Sequence, residues 1–519
     1  MSITADRHIL GHARAVIASR AGAAASSEIG YTFYVIVLLV AIVAIPLLRA
    51  LVLGLASPEV LGPITAPESS SVVGALAAGL AAAALLIGPT RGPVLPTPFL
   101  AEFLAASGLP RSATLRRSFL LTTGVVCALA LAAAGIVVAA RLVGAQVELV
   151  PAGIFVLGCV LFAPLLCVLW LIGQSSPRRV TVPAAVGILL TAVVASAGVD
   201  SILAVTPWGW LALLWHSLSA VADAPAWPII LLAFVPLTLL AVPRLLNALR
   251  GSELLTRSLR WQTVGTLVQT GDVAGAAGVF RSAPTRGRRL HIPLSRPLLL
   301  ATVQRDVLSA LRFPTRLALG SVGLVAAGWL VGLASVVPSG VHWLVALTGA
   351  LLGYLAVGVW CDGIRHASEN SGPASMYGGR DLPRIARHAL TPGLAGVLLG
   401  SLGAAAASAS GAPAGTAPFG TVWWWTLMAL FLVLVRVFDS AKGMMPLSLL
   451  MPIVTPLGDL SILTVIAWQA DAVLVVLVAA GGLTVLFGTS GLAAAVGVLA
   501  VAAAALVALT VRRIRMLGD

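Results

Sequence analysis

The sequence predicts an all-α polytopic membrane protein of about twelve transmembrane helices, arranged as two parallel six-helix repeats with amphipathic surface helices and re-entrant outer segments. Three observations lead there. Of the 519 residues, 59% are hydrophobic and only 10% charged, and the mean hydropathy is +1.04. A soluble domain carries about 25% charged residues, so this chain cannot cover itself with water-facing side chains. The apolar residues gather into runs of about 20, the length a helix needs to cross a hydrocarbon core that offers no partner to exposed backbone groups. The basic residues fall on one side of those runs. Such a composition excludes a soluble enzyme, a disordered chain and a nucleic-acid-binding protein.

In chain order the runs lie at 31–54, 71–89, 118–140, 150–173, 181–199, 228–247, 317–336, 342–360, 390–410, 420–438, 444–466 and 490–511. The first thirty residues lack an apolar core, and no cleaved signal peptide is expected. With the N-terminus in the cytoplasm, inner segments hold thirty of the 32 basic residues, and only Arg49 and Arg141 fall outside. Twelve of the thirty lie between Arg244 and Arg316, in a loop of about 70 residues where the positive-inside rule weakens, yet the other eighteen still set the orientation. The net charge of +14 thus reads as topology and as affinity for anionic lipid. A multi-pass protein of the plasma membrane with both termini cytoplasmic is expected.

Two further apolar stretches, 202–220 and 472–488, are interrupted by Pro, Gly, Trp or polar residues. Counting either alone as a span would carry Arg512, Arg513 and Arg515 to the outer face, so both read as re-entrant or outer-leaflet hairpins, the alternative being extra helices. Trp208, Trp210, Trp215 and Trp227 cluster at the first, and Trp423, Trp424 and Trp425 mark the outer end of the tenth span, as interfacial aromatics do. Cys127, Cys159, Cys167 and Cys361 lie in or beside apolar runs without a CxxC pair, and neither a disulfide nor a metal site is expected.

Three landmarks recur in the same order. The stretch from Ile9 precedes the first span as the stretch from Leu300 precedes the seventh, where Leu300, Val303, Val307 and Leu311 mark the apolar face of a surface helix and Arg305, Asp306 and Arg312 occupy other faces. The loops from Pro96 and from Cys361 each hold a Leu-Pro-Arg sequence, Leu109-Pro110-Arg111 and Leu382-Pro383-Arg384. Thr206-Pro207-Trp208-Gly209 matches Thr455-Pro456-Leu457-Gly458. These landmarks divide the chain into a first six-span half at 1–250, a cytoplasmic linker at 251–297 and a second six-span half at 298–519. In the linker, the stretch from Thr270 predicts a small helix, and Arg286, Arg288 and Arg289 form a basic run suited to anionic head groups.

Six spans preceded by a surface helix, a helical cytoplasmic loop between spans two and three, and re-entrant segments before span six resemble the permease of ABC-2 type (type V) ABC transporters, here duplicated and fused in one chain. The Arg-rich composition, with Lys442 the only lysine, resembles that of high-GC actinobacterial genomes. No GxxxxGK[ST] loop occurs. The resemblance implies a separate ABC ATPase subunit, in two copies, that binds ATP and Mg, while this chain binds no cofactor or metal and is no enzyme by itself. It leaves room for additional small membrane subunits. It implies docking through Phe99, Leu100, Phe103 and Leu104 around Glu102, with Arg111, in the first half, and through Asp362, Arg365, Arg380, Asp381 and Arg384 in the second. An amphipathic segment lying on lipid is the alternative at the first loop.

Asp200, Thr206, Pro207, Trp208 and His216 in the first half, and Thr455, Pro456, Asp459 and Asp471 in the second, fall near the outer face as gate candidates or as solvated loop residues. The apolar spans favour export of an amphipathic, lipid-like or peptide substrate. An ion-coupled secondary transporter would need carboxylates near the midplane, and none is seen. A polyprenyl-dependent transferase would call on Asp362, Glu369 and Asp381, which lack DxD or HxxE spacing. Gly349 with Gly353, and Gly396 with Gly400, allow close helix packing.

Overall fold

The structure is a computed structural model that describes residues 34, 37–38, 40–41, 45–65, 69–106, 109–144, 149–196, 205–217, 235, 237–269, 273–280, 295–334, 342–371, 380–411, 418–443, 449, 451, 454–455, 458–459 and 461–518. The chain forms two compact units, Met1–Thr263 and Val264–Asp519. It is an all-α membrane protein. Among the described residues, six helices are long and apolar enough to cross a bilayer: Arg111–Gly144, Leu149–Ser175, Pro314–Ala334, Asp381–Ser408, Gly420–Ser440 and Ser490–Arg515.

The first unit contains α1 (Ile45–Leu55), α2 (Pro58–Thr65), α3 (Ser69–Ile87), α4 (Pro98–Ala106), α5 (Arg111–Gly144), α6 (Leu149–Ser175), α7 (Arg178–Ser196), α8 (Pro207–Ser217), α9 (Val242–Ala248) and most of α10 (Gly251–Gln269). Proline opens α2, α4 and α8, where its missing N–H has no helical partner to lose. Helix α3 packs on α6, α7 and α8, while α5 packs on α1, α6 and α9. At the α3–α6 crossing the backbones nearly touch, since a Cβ on Gly173 would stand 2.4 Å from the Leu85 carbonyl oxygen. Phe155 and Trp215 meet edge to face at 5.4 Å within the core between α3, α6 and α8.

The second unit contains α11 (Val273–Val279), α12 (Leu298–Leu311), α13 (Pro314–Ala334), α14 (His342–Val357), α15 (Asp362–Glu369), α16 (Asp381–His388), α17 (Leu390–Gly411) and α18 (Pro418–Ser440). A two-residue ladder, β1 (Val454–Thr455) with β2 (Gly458–Asp459), precedes α19 (Ser461–Val475), a π-helical turn at Val476–Gly481 and α20 (Gly482–Gly518). Helices α14 and α15 form a bent pair with an angle of 66°. The core is built from α13, α14, α17, α18 and the α19–α20 rod around Trp424, Trp425 and Met428. Small residues make its tightest contact: a Cβ on Gly328 of α13 would lie 1.9 Å from the Gly400 carbonyl oxygen of α17, and one on Gly403 of α17 would lie 1.9 Å from that of Val325.

Three expectations change. The eleventh apolar run, 444–466, is not one helix, because the β1–β2 ladder interrupts it and the helix starts at Ser461. The stretch 472–488, expected as a hairpin, instead continues that helix. Second, Asp471 lies at the basic end and not the outer one, since it pairs with Lys442 at 2.5 Å and with Arg513 at 2.6 Å. A pair 42 residues apart requires the rod to fold back near its midpoint. Gly491 does this with φ +83°, a conformation that residues with a Cβ rarely adopt, and leaves limbs of about 30 Å on either side.

Third, the expected interfacial tryptophans include core residues: Trp210 and Trp215 are 6% exposed, and Trp424 and Trp425 are fully buried, leaving Trp423 as the outward-facing one of its triplet. Trp424 stacks on Phe487 and Trp425 donates to the Gly396 carbonyl at 2.9 Å. In line with a surface helix, α12 turns Asp306 inward while Leu298, Leu299, Leu300 and Leu311 stay exposed, so its leucine face is left for lipid. The N-terminal amphipathic stretch, Trp227 and the run Arg286 to Arg289 lie outside the described residues.

Gly328→Ala is expected to lower stability by about 1–3 kcal/mol through forced separation of α13 and α17, read as a lower thermal midpoint in detergent. Gly393→Ala, whose Cβ would meet only Leu430 at 3.7 Å, should leave the midpoint within error.

Candidate functional site

Two structures at the basic ends of the helices carry the residues that the sequence singles out. In the first unit, the segment between α3 and α4 is held by side chains that pair with its backbone. Val94 N–H donates to Gln174 Oε1 at 3.4 Å, and Gln174 Nε2 donates back to the Val94 carbonyl at 2.8 Å. From α10, Ser258 Oγ donates to the Pro96 carbonyl at 2.8 Å and Trp261 Nε1 to that of Thr90 at 3.2 Å, while the Arg91 guanidinium lies 4.7 Å above the Trp261 ring. Arg257 donates to the Gln174 carbonyl at 3.2 Å; burial pushes its pKa down, and the Glu253 carboxylate opposes that shift. The start of the expected linker is therefore a brace of the first unit.

On this footing stands α4. Ala101 anchors it with 2% exposure, whereas Phe99 and Phe103 are 69% and 48% exposed and Glu102 is also exposed. Leu100 is half-buried, and the side chain of Leu104 lies outside the described set. Arg111, grouped with these by sequence, is used internally, since its guanidinium donates to the Leu249 carbonyl at the end of α9. Chemically, α4 offers two aromatic rings beside one carboxylate on a braced support.

In the second unit, the break between α14 and α15 carries a knot of ion pairs. Arg316 of α13 grips Asp362 with two bonds of 2.6 and 3.0 Å. Asp306 of α12, 7% exposed, faces His388 Nδ1 of α16 at 2.8 Å, and a Cβ on Gly363 would stand 2.5 Å from both Asp306 Oδ1 and His388 Nδ1. Arg384 donates to the carbonyls of Ala367 at 3.1 Å and Asn370 at 2.9 Å and to Asp381 Oδ1 at 2.7 Å, which ties the end of α15 to the start of α16. Ile364 and Ile385 are buried beneath. Arg365 pairs with Glu369 at 2.8 Å, and Arg380 is exposed beside Leu382. The structure thus brings Asp362, Asp381 and Arg384 together as structural partners, with Arg380 and Leu382 at the rim. Asp362, Glu369 and Asp381 each face an arginine, and among the described residues no group of three His, Cys, Asp or Glu stands close enough to hold a metal.

Sequence reasoning missed Tyr354, Arg436 and Asp439 at this end and misplaced Asp471. Arg436 stacks 3.6 Å over the Tyr354 ring, Tyr354 Oη donates to Asp439 at 2.9 Å, and Asp471 sits between Lys442 and Arg513. The signal for Asp471 was present: it is an acid inside an apolar helix, where a cation partner is the rule. Of the gate candidates, Thr206 accepts the Trp210 N–H at 3.1 Å, Pro207 opens α8, and Trp208 donates to Thr191 Oγ1 at 3.0 Å, so these three begin and anchor a helix. His216 lies in α8, and Thr455 and Asp459 lie in β1 and β2. Asp200 and Pro456 lie outside the described residues.

Asp471→Ala would leave the Lys442 ammonium, 9% exposed, and the Arg513 guanidinium without their shared counter-charge. The expected loss is about 3 kcal/mol, seen as a lower thermal midpoint and faster tryptic cleavage at Arg513. Adding Lys442→Met and Arg513→Met should restore most of it. No family model, no curated protein and no solved structure matches this chain.

Proposed function

We propose that the chain is the membrane-spanning permease subunit of an ATP-driven transporter of ABC-2 type, with twelve spans in two parallel halves, and that a separate ATPase supplies the energy. The observation that carries this reading is α4: an apolar, aromatic helix held out at the basic end of a membrane domain by a fixed set of hydrogen bonds. Exposed phenylalanines on a rigid base suit insertion into a groove of a soluble partner, because the ordering cost has already been met by the fold. The α15–α16 knot is the counterpart in the second half, where Arg380 and Leu382 form the exposed rim.

Nucleotide-driven approach of two ATPase copies would draw these surfaces together and open a path lined by apolar helices. That lining suits an amphipathic, lipid-like or peptide substrate moving outward, across the plasma membrane. The ion-coupled alternative is disfavoured because Asp471 sits level with Lys442 and Arg513, at the end of the bundle rather than at its midplane.

Affinity purification of the tagged chain in mild detergent is expected to retain a soluble protein with a phosphate-binding loop and ATPase activity. Phe99→Glu with Phe103→Glu should reduce the retained ATPase at least tenfold while leaving the thermal midpoint of the membrane subunit unchanged. A chain that transports after purification to homogeneity, without that ATPase, would sink the proposal.

A further inference from the structure

Helix α5 is longer than its membrane task requires. Its 34 residues extend about 51 Å, against a hydrocarbon core of about 30 Å. The apolar run begins only at 118, so the first two turns project past the core. Those turns present two different faces. Thr114, Leu115 and Phe119 are buried, and Arg111 is bound to Leu249. Ala113, Arg116, Arg117, Leu120, Leu121, Gly124, Val125 and Ala128 follow one another at three- and four-residue steps and line a groove of about 620 Å3. Leu120, Leu121 and Val125 are 53%, 62% and 60% exposed. Neither Arg116 nor Arg117 makes an ion pair or a side-chain hydrogen bond among the described residues.

We propose that this face of α5 is a binding site for one anionic phospholipid. Arg116 and Arg117 hold the phosphate, and the strip from Leu120 to Ala128 carries an acyl chain. Three features select this occupant. The two guanidiniums stand at the foot of the apolar run, the depth of a head-group phosphate, and their planar forks suit phosphate oxygens. The distance from Arg117 to Ala128 along the helix is about 16 Å, close to the hydrocarbon depth of one leaflet. Gly124 and Ala128 lower this open helix face between larger side chains, so that an acyl chain can lie against it. The site is independent of the ATPase reading, since it requires only that the chain be embedded in lipid.

The test uses the full chain, delipidated in detergent and titrated with dioleoyl phosphatidylglycerol or dioleoyl phosphatidylcholine, with adducts counted by native mass spectrometry. Wild-type protein should bind one phosphatidylglycerol at least tenfold more tightly than phosphatidylcholine. Arg116→Gln with Arg117→Gln should erase that preference, and Leu121→Asn with Val125→Asn should weaken it at least threefold with both arginines in place. Arg178→Gln with Arg179→Gln, an exposed basic pair at the start of α7, should leave it intact. Thermal midpoints of all variants confirm folding. Retained preference in R116Q/R117Q, equal loss in R178Q/R179Q, or an equal midpoint rise from inorganic phosphate alone would each overturn the site. So would release of a co-purifying protein by R116Q/R117Q with lipid binding unchanged, because the face would then be a protein interface.

Discussion

Removing a charge from water without its counter-charge is among the largest penalties a chain this apolar can incur, and that constraint organises its basic end. In the second unit, Asp306, Asp362, Asp381, Asp439 and Asp471 each face a cationic group or a histidine, and most of these pairs join elements far apart in sequence. Apart from close glycine crossings such as that of α13 and α17, the helices are apolar all round, and burial alone does little to fix their register. Ion pairs at their ends fix the register that the apolar faces leave open. The first unit relies more on neutral groups: Gln174, Ser258, Trp170 and Trp261 hold backbone carbonyls directly, beside Arg111 and Arg257.

The membrane character of the chain was legible because it rests on composition and run length, which no tertiary detail can reverse. Pro98, Pro207, Pro314 and Pro418 each open a helix, a start signal that the apolar runs alone do not carry. Placement of the acids along the bundle was not legible. An acid such as Asp471 follows its partners, and those partners lie 29 and 42 residues away, beyond the reach of any local pattern. The tryptophans misled for a related reason. An indole serves equally well at a lipid interface and in a core that offers its N–H an acceptor, and Trp425 finds one in the Gly396 carbonyl.

At the candidate docking surfaces the sequence grouped together residues of two kinds. Phe99 and Phe103 face outward, whereas Arg111, Asp362 and Arg384 are consumed in holding the loops together. Sequence spacing alone could not separate presenting residues from bracing ones, because both occur on short helices with a Leu-Pro-Arg motif beside or within them. The separation depends on α10 and α13, which approach from elsewhere in the chain.

The crossing of α13 and α17 has a consequence for motion. Where Gly328 meets Gly400 and Gly403 meets Val325, no side chain stands between the two backbones. An interface without rotamers has no soft degrees of freedom, so the two helices must travel as one rigid body. Any rearrangement within the second unit then has to be absorbed elsewhere, and the break between α14 and α15 and the turn at Gly491 are the positions where the helical geometry is already interrupted.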